Sequence, residues 1–283
     1  MESEPAVGRV VLDTNAVSAL FEPRPTKGGE PALSADQLED LRANLVEHHG
    51  RGAFRLVINE LLLRELASMP KRLAQPRIRF VCELADGRVL RRWDDIVVDE
   101  LRSGDRLADA QAFDEYEIEE LIGHLCSLQD EFREAQRESV EAFREHDNAG
   151  KGELQARGGT WRCQPFGGDA TALLQSCEQW AGEALLERAR ALGIPTEELP
   201  PPRQIPSLWA YYSYMTPRLR LTYSGQRRFD GGDAIDGFHY ASSVYATAFV
   251  TCDKGLLRVC EIAPAAGFDV VHFDAWAQGW PGS

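Results

Sequence analysis

The chain has 283 residues, carries 31 Lys+Arg against 45 Asp+Glu and has a net charge of −14. Such an acidic balance argues against gripping nucleic acid or an anionic membrane through the overall field. Apolar residues at 43% and charged residues at 27% exclude wholesale disorder and collagen-like architecture, and no run approaches the roughly 18 apolar residues of a membrane span. The segment 1–15 has no basic stretch followed by a long apolar run, so the sequence predicts a cytoplasmic protein. Six cysteines at irregular spacings, with no C-x-x-C pair, predict reduced structural thiols rather than a zinc site or a disulfide framework.

Residues 9–13 (RVVLD) form a short apolar run that ends in a carboxylate, followed by Thr14, Asn15 and a helical stretch to Phe21, which reads as strand, turn, helix. After a Pro/Gly-rich loop at 23–31, Ser34 is placed to cap a helix running to about His49. A second strand follows at 54–58 and leads straight into a helix at 60–67. Pro76 and Gly87 bracket a shorter helix, and 89–93 suits a third strand.

Residues 94–147 hold 18 acids against five arginines and no lysine, close to the whole net charge. The spacing of Leu121, Leu125, Leu128 and Phe132 predicts helix over 108–146, and the ordinary meaning of such a charge run is a solvated helix face. A further helix is expected over about 170–192. The sign then reverses, because 199–229 carries Arg203, Arg218, Arg220, Arg227 and Arg228 among Trp209 and four tyrosines, with no acid. These residues suit a cradle for single-stranded nucleic acid, with Arg218, Arg220, Arg227 and Arg228 on phosphates and rings on bases. They suit equally an internal role, the arginines pairing with the acidic helix and the tyrosines filling core. In the second case the insertion would also serve as an acidic lid over the cleft.

The far end alternates again: helix at 233–246, strand at 248–252, helix at 254–262 and strand at 268–273. Strands alternating with helices predict an α/β fold, a three-layer α/β/α sandwich with a central parallel sheet. The chain divides into 1–93, a first part of that fold; 94–228, a largely helical insertion; and 229–283, the second part with a C-terminal tail.

Ligand-binding residues of open parallel sheets gather beyond the carboxyl ends of the strands. Asp13 ends the first strand, Glu60 follows the second, Asp253 follows the strand at 248–252, and Asp233 and Asp236 open the helix before it. Acids gathered at one edge repel one another unless a cation neutralises them, and oxygen donors alone select a hard cation, Mg²⁺ or Mn²⁺. Asp233 also suits a helix cap after Gly231 and Gly232. Glu65, off the face of Glu60, reads as solvated, and His239 as hydrogen-bonded within the helix layer.

The phrases Val10-Val11-Leu12-Asp13-Thr14-Asn15, Ile58-Asn59-Glu60-Leu61, Gly232-Asp233-Ala234-Ile235-Asp236 and Phe249-Val250-Thr251-Cys252-Asp253 together resemble those of PIN-domain nucleases. The resemblance covers about 8–93 and 229–273. It implies Asp13, Glu60, Asp236 and Asp253 as ligands of Mg²⁺ or Mn²⁺, with Asp233 in place of Asp236 or beside it, and Asn15 and Thr251 as residues that orient those acids. It implies phosphodiester hydrolysis by a metal-activated water, on RNA ahead of DNA, and a toxin or defence role with an inhibitory protein partner or a homo-oligomer. Two other readings stand beside it, a catalytically silent PIN-like scaffold and a structure-specific DNA nuclease.

Overall fold

A computed structural model describes residues 8–24, 31–135, 138, 169–223 and 233–280, the side chains of Glu198, Tyr223, Asp233 and Ala234 excepted. In chain order the elements are β1 (Gly8–Leu12), α1 (Thr14–Ala19), α2 (Ala35–Gly50), β2 (Phe54–Leu56), β3 (Ile58–Asn59), α3 (Glu60–Ser68), α4 (Lys71–Leu84), β4 (Arg88–Leu90) and α5 (Trp93–Ser103). They continue with α6 (Asp109–Ala112), β5 (Phe113–Glu115), α7 (Ile118–Ser127), α8 (Ala170–Leu192), α9 (Pro206–Tyr223), α10 (Asp233–Ser242), β6 (Ala248–Thr251), α11 (Lys254–Ile262), β7 (Asp269–His272) and α12 (Phe273–Gln278).

Four strands pair in the order β2-β1-β6-β7, all parallel, with Leu56 opposite Val10, Leu12 opposite Val250 and Thr251 opposite His272. A second sheet runs β3-β4-β5, its first pair parallel and its second antiparallel. Val57 N donates to Val10 O at 2.9 Å, so the chain leaves β1 at this residue and goes on to pair with β4. Alternation along β1 sorts the core: Val10 and Leu12 join Phe54, Leu56 and Val250 beneath α2, α3, α4 and α7, whereas Val11 joins Val57 and Phe249 beneath α9, α10 and α11. A strand buried on both faces has no polar side, which is why these strands read as unbroken apolar runs. The three-layer α/β/α expectation therefore holds.

The acidic segment departs from the expected helix. After α5 it forms α6, the edge strand β5 and α7, with β5 lengthening the second sheet and α7 packed on α3 and α4. Arginines from the sheet hold it down: Arg9 forks onto Asp109 at 2.9 and 2.5 Å, and the Arg88 guanidinium lies 4.8 Å over the Phe113 ring. The turn into β4 brings Gly87 to φ +67°, where an added Cβ would sit 2.2 Å from Tyr116 O, so only glycine fits.

The aromatic segment is core. α9 turns Tyr214 and Met215 toward the sheet and Trp209 toward Leu173, Cys177 and Ala181 of α8, while Leu208 packs with Leu185 and Val97. A helix covered on both sides has no wide polar face. No helix among the described residues is long and apolar enough to cross a membrane.

Candidate active site

Four of the parallel strands lead, at their last residue or within two residues of it, into a residue that caps the following helix with its own side chain. Asp13 accepts from Ala16 N at 2.5 Å, Asn59 from Leu62 N at 2.8 Å, Asp253 from Gly255 N and Leu256 N at 2.6 and 3.2 Å, and His272 Nδ1 from Asp274 N at 3.2 Å. Capping satisfies helix N–H groups that have no partner within the helix, and it fixes each side chain at the carboxyl edge of the sheets.

Among the described acids at this edge Asp13 is the most enclosed, at 5% exposure. Besides the cap bond at Oδ1, its Oδ2 accepts from the Thr251 hydroxyl, and that hydroxyl oxygen in turn accepts from Asp253 N at 2.9 Å. Burial pushes the Asp13 pKa above the ordinary aspartate value, opposed by the Thr251 and Ala16 hydrogen bonds and the charges of His239 and Arg24. Thr251 thus holds one oxygen of Asp13.

α3 delivers a different acid from the one expected. Glu60 is 42% exposed and pairs with Arg64 one turn on, in the groove beside the site. Glu65, expected to be solvated, turns inward: it accepts from the Thr14 hydroxyl and meets His239 Nε2 at 2.9 Å. Leu62, Leu63, Leu66 and Ala67 are the buried residues of α3, and with that stripe held against the core Glu65 falls on the side next to α1 and α10. Burial would raise its pKa, but the hydrogen bond and charge of His239 and the Thr14 hydroxyl hold it below the ordinary glutamate value.

His239, 2% exposed on α10, joins the elements. Its Nδ1 faces Asn59 Nδ2 at 3.2 Å, and the same amide nitrogen donates to Ser242 Oγ at 2.8 Å. Because Asn59 Oδ1 is committed to the cap, its NH₂ favours a bare Nδ1, whereas Glu65, Asp13 and Asp236 favour a charged ring. Burial also opposes that charge, yet three carboxylates outweigh one neutral contact and hold the His239 pKa above its ordinary value.

The remaining expected residues fall as follows. Asp236 lies one turn before His239 on α10 and acts on it through its charge; the Asp233 side chain lies outside the described residues. Asn15 is exposed and touches Arg24 at 3.5 Å, at the outer limit of a hydrogen bond, rather than orienting an acid. Arg218 is fully buried in α9, which takes it out of reach of a substrate and corrects its place in a phosphate cradle. Arg220 is turned inward, donating to Ser176 of α8, and Arg203 pairs with Glu178 at 2.7 Å. Arg203 and Arg220 therefore meet α8. Arg227 and Arg228 lie outside the described residues.

The edge gathers Asp13, Glu65 and His239 with Thr14, Asn59 and Thr251, flanked by Asp236 and Asp253. Its acid donors are oxygens, which suit a hard divalent cation. Among the described residues no three His, Cys, Asp or Glu side chains already stand as a metal-holding group. No family model, no curated protein and no solved structure matches the chain.

Proposed function

We propose that the chain is a metal-dependent nuclease that hydrolyses phosphodiester bonds, with RNA ahead of DNA as substrate. The observation that carries this reading is the buried Asp13 carboxylate at the end of the central strand, tied through Thr251 to Asp253 and surrounded by acids from α3 and α10. A desolvated carboxylate with a raised pKa, among other carboxylates, gains most from a nearby cation. Asp13, Glu65, Asp236 and Asp253 are the described residues that would hold Mg²⁺ or Mn²⁺, with Glu65 taking the role first assigned to Glu60. When bound, such a cation supplies Lewis acidity and a water of lowered pKa.

The chain's own residues do the positioning. Thr251 and the α1 cap fix both oxygens of Asp13, Thr14 and His239 fix Glu65, and Asn59 fixes His239 from its other nitrogen. The test is cleavage of end-labelled single-stranded RNA and DNA in Mn²⁺, Mg²⁺ or EDTA, with Asp13→Asn alongside. Metal-dependent cutting of RNA that the variant lacks is the expected result. Cutting that survives the substitution would overturn the proposal.

A further inference from the structure

A protein of net charge −14 repels a polyanion, so a phosphodiester strand reaching Asp13 needs local cations that the protein has not already neutralised. Most arginines near the carboxyl edge are committed. Arg64 holds Glu60, Arg91 holds Asp99 at 2.9 Å, Arg77 holds Glu22 at 2.7 Å, and Arg42 donates to Leu20 O. Two others differ. Arg24, exposed after α1, meets no carboxylate among the described residues; its one hydrogen bond there is the 3.5 Å contact with Asn15, yet its charge is felt by Asp13 and Cys252. Arg92, exposed at the start of α5, lines a groove with Asn59, Glu60, Trp93, Phe238 and Ser242 and has no ion pair among the described residues.

Strand order puts these two cations on opposite flanks of the acid. Arg92 follows β4, and its groove runs to Asn59 at the end of β3. Arg24 touches Asn15, whose backbone carbonyl oxygen accepts from Cys252 Sγ just past the end of β6. Between the flanks stands β1 with Asp13. Asp94 in the same groove is held by Arg188 at 2.5 Å, so it does not cancel Arg92, and Trp93 and Phe238 give the groove an aromatic wall. The adjoining groove, which Arg92 also lines, adds Asp95 and Asp114 to Glu60, whereas the path past Asn59 and Ser242 has as its acids only Glu60 and Asp94, both paired with arginines.

Resting on the nuclease reading, we propose that Arg24 and Arg92 anchor the backbone of a single-stranded nucleic acid on either side of Asp13, so that the phosphate between them is presented to the acids. Ion pairing with phosphate releases counterions from the strand, and each contact adds about 0.7 to the slope of log affinity against log salt. Charge-assisted hydrogen bonds of this kind are worth roughly tenfold in affinity.

The experiment measures binding of fluorescein-labelled single-stranded RNA, and DNA of the same sequence, by anisotropy across a salt series. It uses the full chain in an Asp13→Asn background with Mn²⁺ present. Arg24→Ala and Arg92→Ala should each weaken binding about tenfold and lower the salt slope by about 0.7, and the double variant should lose both increments. Arg72→Ala, exposed at the start of α4 beyond the far end of α3, serves as the control and should change nothing. Unchanged affinity and slope in the double variant, an equal loss in Arg72→Ala, or no binding at all would overturn the proposal. Cutting by the wild-type chain, scored in parallel, separates the two ideas. Metal-dependent cutting with no arginine dependence of binding leaves the nuclease and removes the anchors. Arginine-dependent binding with no cutting leaves the anchors and removes the nuclease.

Discussion

Asp13 and Glu100 each accept a backbone N–H and a hydroxyl, and burial raises the pKa of both above the ordinary range. Glu100 is sealed at 0% exposure between α5 and α9, taking Ser207 N and Oγ at 3.0 Å and Tyr245 Oη at 2.9 Å. Its donors come from α9 and from the turn before β6, and the charge of Arg106 opposes the effect of burial. It pins α9 to α5. Asp13 instead stands at the edge, with the charges of His239 and Arg24 beside it and acids from two other elements close by. A raised carboxylate pKa is thus common to a clasp, Glu100, and to the acid at the centre of the proposed site, Asp13, and the company each keeps separates them.

Neutralising each acid in turn should have opposite effects at the two places. Asp13→Asn should cut RNA more than about 100-fold more slowly, exceeding the loss seen when a residue supporting a metal ligand is removed, with its melting temperature unchanged or raised because like-charge repulsion falls. Cleavage rates and thermal melts on the same preparation check this. Glu100→Ala should do the reverse, costing about 3 kcal/mol of stability in urea unfolding, since three donors lose their acceptor in a sealed site. Activity per folded molecule should stay within about twofold, since Glu100 touches nothing at the edge.

Two smaller effects sharpen the picture. Glu65→Gln should lower cutting about tenfold and Glu60→Gln by less than about twofold, a direct measure of which acid α3 supplies. Glu100→Gln can satisfy the site, its carbonyl accepting from Ser207 N while its NH₂ meets the two hydroxyl oxygens, so it should fold normally. It should also alter pH dependence with a definite sign. Native Glu100 keeps its proton to higher pH than the unfolded chain, so its contribution favours folding at low pH and is lost as pH rises from about 4.3 through the folded value. Glu65, with a lowered pKa, contributes in the opposite direction, losing its share as pH falls. Unfolding of wild type and Glu100→Gln compared from pH 4 to 7 should show the variant gaining on the wild type as pH rises.

The layered fold was legible because strands buried on both faces leave unbroken apolar runs, and the capping residue Ser34 marks where α2 begins. Asp13 could be read for the same reason, as the carboxylate closing such a run, whereas Thr251 was singled out only by the resemblance. Glu65 was not legible: residue spacing shows which side chains of a helix share a face, but not which face meets the core. That rotation is set by the Leu62-Leu63-Leu66-Ala67 stripe and the Asn59 cap. Phe113–Glu115 carries no strand signal of its own and becomes β5 only because β4 offers an open edge. The burial of Arg218 escaped for a related reason, since charge in a sequence predicts solvent unless the tertiary packing around it is known.

The hydrogen bond from Thr251 to Asp13 joins residues 238 positions apart. At about 5–20 residues per second, a ribosome makes the second partner roughly 10 to 50 s after the first. Until then the central strand lacks its β6 neighbour and Asp13 lacks the hydroxyl that fixes it, while α2, α3 and α4 have already left the exit tunnel. The edge is therefore completed late in synthesis, and a nascent chain, held closest to the cell's RNA, carries its acids unassembled.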